Sequence, residues 1–128
     1  MSKTIYVCGN REVNNDSMPF RLLPFLRSAY NGVEFKEFDP TENFPDDDIL
    51  YVIDTVMGVD KVVVLRDIDQ LADSPHVSVH DADLGFHLKW LRKLGKNPKV
   101  VIFGVPAEGD VKAILEELLP VLAENCGV

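Results

Sequence analysis

The sequence predicts an α/β protein: a three-layer fold with a mostly parallel, twisted sheet of about five strands and helices on both faces. Two observations carry this. The runs TIYVC, LYVI, KVVVL and VVIFGV are apolar almost throughout, which is how strands buried on both faces read. Between them lie segments whose apolar residues recur at helical spacing.

Thr4 to Cys8 predicts the first strand. Ser17 to Tyr30 predicts a helix, because Met18, Leu22, Leu26 and Tyr30 fall on one stripe, although Pro24 removes one of its backbone bonds. Asn31-Gly32 is a turn. Val33 to Phe38 alternates apolar and charged residues, the pattern of a half-exposed edge strand. Leu50 to Ile53 and Lys61 to Leu65 predict buried strands. Leu84, Leu88 and Leu91 mark a helix that stops at Gly95. Val100 to Val105 predicts the last strand. Val111, Ile114, Leu115, Leu118 and Leu122 predict the last helix, with Cys126 in a fraying tail beyond it.

At 128 residues the chain predicts a single domain, 1–128, large enough for a real core. A net charge of -8 and a pI near 4.7 argue against nucleic acid or an anionic membrane as partner, since both need a basic surface. No apolar run is long enough to span a bilayer, and the apolar part of MSKTIYVCGN is too short for a signal peptide. Cys8 and Cys126 stand at opposite ends without CxxC spacing, which predicts reduced thiols and a cytoplasmic protein. Cys8 reads as a small apolar residue at a strand end rather than as a nucleophile. The run Asp46-Asp47-Asp48 reads as a solvated loop.

In parallel sheets ligands gather at the carboxyl ends of the strands. Three residues are predicted there. Asp16 lies in the loop after the first strand, Asp54 directly follows LYVI, and His80 lies where the second helix is expected to begin. Ser78 and Asp81 form an S-x-x-D capping pattern that would hold His80 in the first helical turn. Two carboxylates and an imidazole suit a first-row divalent metal with open positions. Each also has a plainer reading: Asp16 as a helix cap, Asp54 as a turn residue, His80 as a structural histidine. His76 and His87 are rivals to His80. Position alone leaves both readings open.

The motifs add a resemblance. GNREVNND at Gly9 to Asp16, LYVIDTVMGVDKVVVLRD at Leu50 to Asp67, VSVHDADLGFHLKWLRKLG and PKVVIFGVPAE occur in this order. Together they resemble the nickel-dependent endopeptidases that mature nickel–iron hydrogenases, nearly end to end. The second of these segments is similar to one in which a strand delivers an aspartate and the next strand forms a hairpin beside it. The resemblance implies Asp16, Asp54 and His80 as the metal-binding and catalytic residues. It also implies one cut, removing a C-terminal extension from a hydrogenase large-subunit precursor. The nickel is expected to arrive with that precursor, and other first-row divalent metals are expected to substitute for it in vitro.

The chain departs from that pattern in places. Asn15 stands where the family usually has a first acid, Val7 replaces a glycine, and Asp39 to Ile49 is short where a helix is usual. Two other functions stay in view. YVIDTVMGVD resembles the phosphorylatable strand of response-regulator receiver domains, with Asp54 as acceptor, but the acidic pair and the lysine of a receiver are missing. A non-catalytic chaperone that binds the precursor is the other.

Overall fold

The structure, a computed structural model, describes residues 3–8, 17–37, 49–66, 78–79 and 99–126. The elements in chain order are β1 (Lys3–Val7), α1 (Met18–Ala29), β2 (Val33–Glu37), β3 (Ile49–Met57), β4 (Val63–Leu65), β5 (Ser78–Val79), β6 (Lys99–Val105) and α2 (Val111–Cys126). The strands lie in the order β2-β1-β3-β6-β4, with β5 joined to β3. β1 runs parallel to β2 and β3, and β3 parallel to β6. The short β4 is antiparallel to β6.

Alternation along the strands builds two faces. Ile5, Val7, Ile53, Val101, Phe103 and Val105 form one of them, and both described helices pack there. α2 buries Ile114, Leu118, Leu122 and Cys126 at four-residue steps. Each fully buried leucine or isoleucine contributes about 1.5–3 kcal/mol of burial free energy, enough to hold the helix on the sheet. α1 buries Met18, Leu22 and Leu26, as its stripe predicted, and runs on through an exposed Pro24. The Tyr30 hydroxyl donates to the Leu119 carbonyl at 2.9 Å and ties the two helices together. Arg27 donates to the Phe35 carbonyl at 3.1 Å, tying α1 to β2.

The second face carries its own buried cluster of Cys8, Leu50, Val52, Val100 and Ile102. Two buried faces on one sheet make the three-layer α/β architecture that the apolar strands predicted. The helix expected over 84–95 and the shortened segment 39–48 lie outside the described residues. β2 is the edge strand its alternation predicted: only Phe35 is buried in it, and Glu34 and Lys36 face solvent.

Three expectations are corrected. The strand after β3 is not its hairpin partner. β6 lies between them, pairing Val63 with Gly104 on one side and Asp54 with Gly104 on the other. β4 is also only half-buried, as the outermost strand must be. Cys126, moreover, is no frayed tail. It is 1% exposed, and Lys3 donates to its carbonyl oxygen. α2 has no basic residue in its last turn, so Lys3, reaching over from β1, supplies the cation that a helix C-terminus favours. The same ammonium lies 5.3 Å from the Tyr51 ring centroid, a cation–π distance. Tyr51 in turn stacks on Phe103.

Candidate active site

β3 outruns its neighbour. β1 pairs with it only as far as Val7 opposite Ile53, after which the Cys8 amide donates to the Ile53 carbonyl at 2.9 Å. β3 itself continues to Met57, and β6 stays paired with it to Thr55 opposite Val105. Asp54 therefore stands where β1 stops, at the carboxyl edge of the parallel part of the sheet. That edge is where α/β folds place their ligands.

The sequence put Asp54 after a strand ending at Ile53. The structure places it inside β3, so the turn reading is set aside. The strand runs on to Met57, and the β-branched Thr55 and Val56 suit a pleated backbone flanked by other strands. Alternation puts Asp54 on the second face, with Leu50 and Val52. It is 0% exposed. Its Oδ1 accepts the Thr55 backbone N–H at 2.8 Å, which orients the carboxyl group. Aspartates are almost never buried this completely unless hydrogen-bonded or engaged with a partner charge or metal. Burial is thus the feature that separates Asp54 from an ordinary loop acid.

Asp16 and His80 lie outside the described residues, as do His76, His87 and the acidic run 46–48. The residues next to the first two are described. Ser17 follows Asp16 and holds the N-cap position of α1, its carbonyl accepting from the Phe20 and Arg21 amides. Ser17 holds that position without a side-chain capping bond. α1 returns from the end of β1 to the start of β2, so its N-terminus is on the carboxyl side of β1. Val79 precedes His80 and pairs with Val56, two residues beyond Asp54. Ser78 is correspondingly in a strand, not at a helix cap. The overhang of β3 past β1 offers unpaired backbone groups, and Ser78–Val79 joins them antiparallel.

Solved structures provide the comparison. The hydrogenase maturating endopeptidase HybD from E. coli matches with a TM-score of 0.56 and 21% identity, over 97% of this chain and 93% of that one. A hydrogenase 2 maturation peptidase from a Thaumarchaeota archaeon matches with a TM-score of 0.53 and 19% identity, over 98% and 99% of the two chains. The chain shares the fold of these two structures. At these identities the likeness is one of fold, and it extends over nearly the whole chain. No protein-family model matches the chain, and no curated protein sequence matches it.

Asp54 offers an oriented carboxylate oxygen, a donor type that divalent metal ions accept. Among the described residues no three His, Cys, Asp or Glu side chains cluster as a metal site. Asp54 is accordingly the described member of the expected set. Cys8 is buried beside the end of β1, in the apolar role its position predicted.

One residue at this edge escaped the sequence reading. Gly104 is the in-register partner of Asp54 on β6 and of Val63 on β4. A Cβ at Gly104 would meet Val56 Cγ2 at 2.3 Å and Val63 Cγ2 at 2.8 Å. The available signal was a lone glycine inside an apolar strand, which marks a close approach.

Proposed function

We propose that this chain is a hydrogenase-maturation endopeptidase, which removes the C-terminal extension of a nickel-loaded nickel–iron hydrogenase large-subunit precursor in the cytoplasm. The observation that carries the proposal is Asp54: a completely buried, oriented carboxylate at the carboxyl edge of the sheet, in a fold shared end to end with two maturation peptidases. Asp16, Asp54 and His80 are the residues assigned to metal binding and catalysis. Three ligands leave coordination positions open, the arrangement of a functional rather than a closed structural site. The nickel is accordingly part of the substrate, and the three side chains read whether it has been inserted. When engaged, that ion can act as a Lewis acid on a nearby carbonyl.

Asp54's part is to hold a fixed carboxylate at the mouth. Its Oδ1 is tied to the Thr55 amide, so its position is settled before substrate arrives, and a preorganised ligand loses little on binding. The receiver reading is less well supported. The acidic pair after the first strand and the lysine at the end of the last strand, which a receiver needs, are missing from the sequence.

The test is to mix the purified chain with nickel-loaded precursor and follow the precursor's intact mass. Loss of a single C-terminal fragment supports the proposal. Stable association without loss of mass would assign the chaperone role instead, and neither cleavage nor association would remove the hydrogenase connection.

A further inference from the structure

We infer that Gly104 is a positioning residue for Asp54, its missing side chain setting the place of the β3 segment that carries the carboxylate. The inference rests on the reading of Asp54 as a site residue. Asp54, Gly104 and Val63 form one row across three strands, on one face of the sheet. The space that a side chain at Gly104 would occupy is already filled by methyl groups of Val56 and Val63.

These two neighbours differ in how easily they can yield. Val63 belongs to a three-residue edge strand and is only half-buried, so its methyl can turn aside. Val56 is fully buried in β3. Its Cβ would itself lie 3.1 Å from a Cβ at Gly104, so a rotamer change leaves a tight contact close to the backbone. A side chain at Gly104 therefore presses on β3 two residues after Asp54. It presses at the residue that pairs with Val79, which leads into His80. Crowding at this one point displaces the β3 segment that carries Asp54.

The experiment compares wild type, Gly104→Ala and the double variant Gly104→Ala/Val56→Ala. It reads kcat and KM for precursor cleavage, far-UV circular dichroism, and the amide proton shift of Thr55, which reports the Asp54 Oδ1 bond directly. A displacement of about 1 Å at reacting groups costs on the order of 10²-fold in rate. Gly104→Ala is expected to lower kcat by about 10–100-fold with KM little changed, and to move the Thr55 amide resonance. The double variant is expected to recover most of both, because it removes the Val56 methyl at 2.3 Å and, on β3, leaves only the milder 3.1 Å contact with Cβ. If Gly104→Ala alone does not fold, a folded double variant with a near-wild-type Thr55 shift supports the inference. A wild-type kcat and unmoved Thr55 amide in Gly104→Ala would overturn it, as would losses that the double variant does not recover. Should wild type itself fail to cleave the precursor, the functional reading falls, while the Thr55 amide still tests the positioning.

Discussion

Cys126 gives the most quantitative test of how the chain is held together. Its thiol is pushed up from 9.0 to about 11, chiefly by burial, with the Lys3 ammonium pulling partly the other way. The unfolded chain releases this proton near the ordinary value, and the folded chain holds it until about 11. Between those values the folded state binds more protons than the unfolded one, so stability falls as pH rises. The slope approaches 1.4 kcal/mol per pH unit, about 3 kcal/mol over the window. The contribution is fully present below the unfolded value and lost above the folded one. Urea unfolding followed by circular dichroism, under reducing conditions across this range, measures it. Tyrosines and lysines titrate in the same window, so the quantity to read is the difference between wild type and Cys126→Ala. That difference should shrink by about 3 kcal/mol from the bottom of the window to the top. A difference that stays constant with pH would refute the reasoning and return Cys126 to the solvent-exposed tail expected from the sequence.

The remaining predictions concern the site. His80→Ala should abolish precursor cleavage with an unchanged circular dichroism spectrum, whereas His76→Ala and His87→Ala should retain substantial activity; equal loss in all three would mean that the wrong histidine has been assigned. The isolated protein should purify with little bound metal by elemental analysis, and precursor lacking nickel should stay uncut. Tight stoichiometric metal in the isolated protein, or equal cleavage of both precursors, would contradict a substrate-borne ion. Acetyl phosphate with magnesium should leave Asp54 unlabelled by mass spectrometry; labelling there would favour the receiver alternative.

What the sequence showed and what it hid follow from the range of the interactions. Strands were legible because burial on both faces leaves continuous apolar runs such as VVIFGV, and α1 because Met18, Leu22 and Leu26 share a stripe. Pairing was not legible. Periodicity says which face a residue takes but not which strand lies beside it, and so β4 was expected next to β3 when β6 separates them. The Ser78 capping pattern failed for a similar reason, since the overhang of β3 that recruits Ser78–Val79 is set by where β1 ends. Cys126 continues the four-residue stripe of Ile114, Leu118 and Leu122. Its closeness to the end of the chain hid this, because the Lys3 contact that holds it there spans nearly the whole sequence. Asp54 was legible by position, as an acid after an apolar run in an α/β pattern. Its complete burial was not, because a strand end and a strand interior read alike until the partners are placed. The contribution of Gly104 depends on the Val56 and Val63 methyls, which only the assembled sheet brings together.

The central claim is that the buried carboxylate of Asp54 carries the cleavage of a hydrogenase precursor. Nickel-loaded precursor incubated with wild type and with Asp54→Asn, followed by intact mass, tests it most directly. Asparagine keeps the shape and a carbonyl oxygen for the Thr55 amide, so the fold should persist while the charge is lost. The account predicts loss of one C-terminal fragment with wild type and, with Asp54→Asn, a rate lower by at least about 10²-fold, an effect of about 2.7 kcal/mol on the barrier. Cleavage by Asp54→Asn at the wild-type rate would contradict it.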